Sequence, residues 1–300
     1  MNKLLLLFTT FSVVCFSQIN PVVTKYENGS IKKIEKFENN KLHGESRHYS
    51  KDGILEAIEN FNQGVKSGLF IYYYETGILK EKNNYSNNQL DGEFSAYYPS
   101  GILKENGAYK SGVLNGPYYK YFEDGRLQMS YVMVNNGKEG EFLEYYPSGG
   151  IKCKANYTRD VAEGPAFWYY ETGILKSEWN YKEGALTGIG KEYYPSGKLK
   201  SLVNYAFNKY TGMNKEYYET GIIKKESNYK SNNLDGTTKS YYEDGKLWTE
   251  QNYAHNLLEG ETKIYRNNGS LWYVETYAKG KLINNKEYSE SGKLISEKKY

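Results

Sequence analysis

A chain of 300 residues with a net charge of +3 and interspersed Lys and Glu lacks the clustered basic stripe that nucleic-acid binding requires. Tyrosine dominates the aromatics, with 34 residues against 11 Phe and 4 Trp, so the chain cannot fill a thick aliphatic core. It can instead stack rings that bury an apolar body and keep the hydroxyl wet.

The N-terminus reads as an export signal. Lys3 supplies the positive start, Leu4 to Val14 the apolar stretch, and Cys15-Phe16-Ser17 a small-x-small cleavage site before Gln18. The expected organisation is a signal peptide over 1–17 and a repeat array over 18–300, with a periplasmic, cell-surface or secreted product. A lipid anchor on Cys15 is the alternative to cleavage near Ser17. After cleavage Cys153 is the one remaining thiol, expected to be a small half-buried filler, with pairing between chains as the alternative.

From Gly29 onward the chain keeps a 24-residue beat: Gly53, Gly77, Gly101, Gly125, Gly149, Gly173, Gly197, Gly221, Gly245 and Gly269 follow it, and only Gly292 falls one residue short. A second series, from Gly44 to Gly260, keeps the same interval. A fixed period of this size means a stack of one supersecondary unit. In the unit Tyr193–Lys200, Pro195-Ser196-Gly197 has the chemistry of a type I turn closed by a left-handed glycine, a three-residue hairpin loop. The fold expected is all-β: an elongated single-layer antiparallel β-meander of about eleven to twelve hairpin repeats.

The turn sets an expected register. The residue four before the glycine (Tyr73, Tyr97, Tyr193, Tyr217 and their equivalents) faces the Leu or Ile two after it. By alternation, the aromatic eight after the glycine shares that face, which gives an inner face of Tyr, Leu/Ile and Tyr/Phe ladders. The residue five before should face the one three after, which pairs Glu144 with Lys152, Glu192 with Lys200 and Glu216 with Lys224 on a solvated face. The Asn that recurs seven after the glycine, as at Asn84 and Asn228, would form an amide ladder or cap a loop.

The pattern breaks near the C-terminus. The position three after the glycine, Lys in seven repeats, becomes Trp248 and Trp272, with Ser240 and Ile264 as their expected partners. Val274 shares their parity on this reading. Trp248, Ile264, Trp272 and Val274 are therefore the expected partner-binding patch, against a plainer role as a cap on the last strands. Trp168 is expected to lie opposite Lys176 as a cation–π pair.

The sequence Gly-x-Leu/Ile-Lys, then Tyr, then Leu-x-Gly, then Tyr-Tyr resembles the MORN-variant repeat, and such bacterial arrays resemble the YwqK-family antitoxins. The resemblance covers about residues 25 to 300. It implies an antiparallel β-meander with a binding or scaffolding role, lipid or protein contacts and no catalysis. The repeat here is longer than the usual unit and richer in Tyr than in Trp, and an export signal sits awkwardly with an antitoxin acting in its own cytoplasm.

No nucleophile elbow, Cys-x-x-Cys or phosphate-binding glycine loop occurs, and no catalytic residue, metal ligand set or cofactor is expected. His43 and His48, five apart on a strand, should point to opposite faces. The leading expectation is an exported scaffold that binds a protein partner or itself. The alternatives are envelope carbohydrate held by Tyr and Asn ladders, or lipid headgroups held by the Lys strip.

Overall fold

The structure, a computed structural model, describes residues 20–300. The expected signal segment, with Cys15 and Ser17, lies outside the described residues. The described chain divides into two compact units, one of residues up to 102 with 109–112, the other of 103–108 with 113–300. Each is built from antiparallel hairpins. In the first, Gly44–Tyr49 pairs with Leu55–Asn62 and Gly68–Tyr73 with Leu79–Ser86. In the second, Gly188–Tyr193 pairs with Leu199–Ala206, which then pairs with Gly212–Tyr217. The all-β antiparallel meander is what both units contain.

The turn forms as its sequence dictates. The Tyr194 N–H donates to the Lys198 carbonyl and the Gly197 N–H to the Tyr194 carbonyl, both at 2.8 Å. Every glycine on the ruler from Gly53 to Gly269 has φ between 79° and 93°, a left-handed backbone that a side chain would strain. The expected pair four before and two after the glycine is also present: Tyr73 faces Leu79, Tyr193 faces Leu199 and Tyr217 faces Ile223.

One step further the register departs from expectation. Glu144 faces Cys153, Glu192 faces Ser201 and Glu216 faces Lys225, each one residue beyond the predicted Lys. A bulge three after the glycine inserts an extra residue and flips the parity of everything that follows it. The lysine at the bulge still reaches across: Lys152 contacts Glu144 at 2.8 Å and Lys200 contacts Glu192 at 3.5 Å.

The flip decides which face is buried. Positions five and seven before the glycine now share a face with positions four, six and eight after it. Of the fourteen buried residues among those described, thirteen sit seven before (Ser46, Phe70, Ala166, Gly190, Thr238, Thr262), four after (Ala57, Cys153, Ser177, Ser201) or six after (Asn83, Ala155, Ser227). The aromatic eight after joins this face, as Tyr85 does against Phe70 at 4.6 Å. The Tyr–Leu/Ile pair lies on the other face and is only half-buried. The expected inner face is therefore corrected: its third ladder is inside, its first two are not. Charge pairs occupy the Tyr–Leu/Ile face instead, with Lys215–Glu226 at 2.9 Å and Lys191–Glu178 at 3.0 Å.

Two ladders tie successive repeats of the second unit together. The second tyrosine of each Tyr-Tyr pair donates its hydroxyl to a carbonyl 23 residues on: Tyr146 to Tyr169, Tyr170 to Tyr193, Tyr194 to Tyr217, Tyr218 to Tyr241, each at 2.8 Å. At the second turn, Asn208, Asn232 and Asn256 accept the backbone N–H of Leu186, Tyr210 and Leu234 at 2.7 Å. Asn84 and Asn228 form no amide ladder. Each clamps a backbone carbonyl of the next strand, Glu93 and Thr237 respectively.

Candidate binding surface

In several repeats the bulge residue lies against the ring three positions before the turn glycine. Lys80, Lys176 and Lys224 place their ammonium groups 5.8 Å from the ring centres of Tyr74, Tyr170 and Tyr218. This is the cation–π geometry expected of Trp168, but the ring is Tyr170, and Trp168 faces Ser177 and Cys153 instead. The error has the same cause as the register error, since the bulge turns the lysine toward the turn.

In the last repeats this stack changes composition. Trp248 replaces the lysine and lies 5.9 Å from Tyr242. In the following repeat the two partners exchange roles: Trp272 supplies the ring and Arg266 the cation, 5.1 Å apart. Arg266 also takes over the tyrosine rung, donating to the Tyr288 carbonyl at 2.7 Å and to the Leu271 carbonyl at 3.0 Å. Tyr273 flanks Trp272 at 4.9 Å, and its hydroxyl donates to Glu287 at 3.2 Å. Burial first, then the Glu287 charge, pushes the Tyr273 phenol above its usual value.

Both indoles remain open, Trp248 at 47% and Trp272 at 39% exposure. The expected cross-strand partners are corrected by one residue: Ser240 faces Thr249, and Ile264 faces Tyr273 on one side and Thr249 on the other. Ile264 stays on the face of the two indoles. Val274 does not, because it lies beyond the bulge, faces Lys263 and is buried at 9% exposure. The candidate patch is thus Trp248, Ile264 and Trp272, backed by Tyr242, Arg266 and Tyr273.

Other singled-out residues go elsewhere. Tyr97 accepts the Tyr74 hydroxyl as one rung of the tyrosine ladder. Cys153 is buried among Ala155, Ala166, Phe142 and Trp168, and burial pushes its thiol up to about 11. His43 contacts Glu38 at 3.3 Å and His48 contacts Glu59 at 3.4 Å, so they share no ligand. Among the described residues no three His, Cys, Asp or Glu side chains are grouped to hold a metal ion.

Among solved structures, a complex of TcdB2, TccC3 and Cdc42 shares 12% identity with the chain at a TM-score of 0.19, over 94% of this chain and 20% of that one. The TcdB2–TccC3 complex shares 10% at 0.17, over 93% and 23%. The Tc holotoxin pore of Photorhabdus luminescens shares 11% at 0.19, over 94% and 20%. The chain therefore spans about a fifth of the length of these chains. No curated protein matches it. The MORN repeat variant pattern matches in nine segments: 42–63, 66–87, 90–111, 138–158, 162–183, 186–206, 210–231, 234–255 and 258–279. The segment between the third and fourth matches holds Phe122, Val132 and Met133 where other repeats carry Tyr, Asn and an aromatic, yet its strands pair in the same register. With most of its length matched by these segments, the chain belongs to the MORN repeat variant family.

Proposed function

We propose that the chain is an exported, non-catalytic scaffold that binds a protein partner through the surface around Trp248, Ile264 and Trp272. Repeats of this family commonly serve as protein- or membrane-binding modules, which fits a scaffold. The observation that carries the reading is the exposure of two indoles held in fixed orientation by Tyr242, Arg266 and Tyr273. Aromatic side chains that are rigid before binding lose little freedom on association and dominate interface energetics. The lysines that a lipid-headgroup role would use lie over tyrosine rings or reach glutamates, which favours the protein reading. A toxin-like protein, suggested by the YwqK resemblance, and a second copy of the chain are the first partners to test.

The mature chain begins at Gln18 on this reading, which intact-mass measurement of the exported protein checks. The decisive experiment is the Trp248→Ala/Trp272→Ala variant, compared with wild type by sedimentation and by pull-down against the products of neighbouring genes. Loss of a complex by a variant with unchanged unfolding supports the reading. A folded variant that keeps the complex sinks it.

A further inference from the structure

Away from the surface around Trp248 and Trp272, the buried face changes where the repeat carries its smallest side chain. Seven before the turn glycine, other repeats place Phe70, Phe142 or Thr238 on the buried face; here the residue is Gly190. Its role is steric rather than conformational, since a Cβ built there would stand 2.2 Å from the Trp179 ring. The missing side chain lets the indole lie across the strand.

Beside it the face opens into a cavity of about 330 Å³. That is the lower end of the range that small-molecule sites occupy, roughly 300–1,000 Å³. Trp179, Tyr205 and Tyr210 form an aromatic wall with ring centres 5.6 Å and 5.3 Å apart. A second hollow of about 150 Å³ adjoins it, sharing Val203, Tyr210 and Glu216 and adding Asn214, Ser227, Tyr229 and Lys215, whose own charge Glu226 balances at 2.9 Å.

The polar lining selects the ligand. Glu192 is held by Lys200 at 3.5 Å and by the Ser201 hydroxyl at 3.2 Å. Glu216 is exposed and has neither an ion pair nor a hydrogen bond, and Lys224 completes the charged set. Two carboxylates and two ammonium groups cancel. An anionic ligand meets the unpaired Glu216, and a cationic one meets two lysines. A neutral ring with apolar faces and hydroxyl edges suits both features: its C–H faces lie on the aromatic wall, and each hydroxyl both donates and accepts. Adjoining hollows that share Glu216 suit two consecutive rings.

We propose that the hollows around Trp179 and Glu216 bind consecutive pyranose units of a neutral oligosaccharide. The test is isothermal titration calorimetry of the exported chain with cellohexaose, chitohexaose, maltohexaose and xylohexaose, with pentalysine and inorganic phosphate as charged controls. At least one hexasaccharide should bind with Kd of ~1 mM or tighter. Glu216→Gln has no internal bond to lose and should weaken that binding about tenfold, the loss of one hydrogen bond to a charged group. Gly190→Leu pushes the Trp179 indole out of the aromatic wall and should abolish binding; should it misfold, Glu216→Gln still decides. Trp248→Ala/Trp272→Ala should leave sugar binding unchanged, which separates this site from the partner surface. Failure of all four sugars to bind, wild-type affinity in Glu216→Gln, or displacement of the sugar by pentalysine or phosphate would overturn the proposal.

Discussion

The face around Phe70 and the face around Gly190 have the same backbone and opposite contents. Phe70 faces Asn83 and Gly190 faces Val203 in the same register, each in its own unit. Phe70 is fully buried between Phe61 at 5.6 Å and Tyr85 at 4.6 Å, with the Lys66 ammonium 5.2 Å from its ring centre. At Gly190 the same position holds nothing but the edge of Trp179, and a cavity opens beside it. The repeat period fixes where a side chain stands, while side-chain volume at one column decides whether the sheet face is solid or hollow. The period can therefore be maintained by turns and ladders while the face is left free to vary.

Opposite substitutions at these two positions break or sharpen that contrast. Phe70→Ala removes a buried ring from a packed site and should cost ~3–5 kcal/mol, read from urea unfolding. Gly190→Val inserts atoms against Trp179 and should cost ~1–3 kcal/mol with a shift in tryptophan emission. Should Phe70→Ala be nearly neutral, the first region is no more filled than the second, and the contrast fails.

The backbone of both regions was legible in the sequence, because a three-residue loop closed by a left-handed glycine demands that residue every time. The faces were not. The extra residue after the turn has no compositional mark, and Lys152 still reaches Glu144, so the alternating charges fit a flat ladder as well as a bulged one. That one residue moved Tyr73 and Tyr193 off the buried face, took Val274 out of the tryptophan patch and hid the Trp179–Gly190 contact. The tryptophan break itself was readable from the loss of lysine. The exchange of Arg266 and Trp272 was also written in the sequence, but it has meaning only once the residues three before and three after the glycine are known to stack.

The tyrosine rungs give a smaller effect and a natural control. Tyr194→Phe removes one hydroxyl donor from the Tyr217 carbonyl and should cost ~0.5–1.5 kcal/mol in urea unfolding. Phe122 already lacks that hydroxyl, and Arg126 donates to the Pro147 carbonyl at 2.6 Å in the following turn instead. Arg126→Ala should therefore cost a similar amount, while Phe122→Tyr should be tolerated. A neutral Tyr194→Phe would mean that ring contact rather than the hydroxyl links the repeats.

The smallest expected effect is electrostatic and lies in the pair Lys215–Glu226. Lys215, at 2.9 Å, holds the Glu226 carboxyl below its ordinary value, helped by the Tyr241 hydroxyl at 2.8 Å. Burial first, then Glu226, pushes the Tyr241 phenol up to about 12. The depressed carboxyl stabilises the fold above its unfolded value of about 4.3, and this contribution is lost as pH falls through the lower folded value. The raised phenol contributes fully below about 10, and its contribution is lost as pH rises toward the folded value. Stability should thus be flat between about pH 6 and pH 9 and fall on both sides. Glu226→Gln should destabilise by less than ~1 kcal/mol at neutral pH, since the pair is partly solvated. The difference from wild type should vanish as pH falls, because the protonated carboxyl and the amide are then both uncharged. The same variant should lower the alkaline midpoint of Tyr241, measured by tyrosinate absorbance, only if burial leaves room for the Glu226 charge to contribute. An unchanged alkaline midpoint assigns that shift to burial alone and confines the linkage to Lys215.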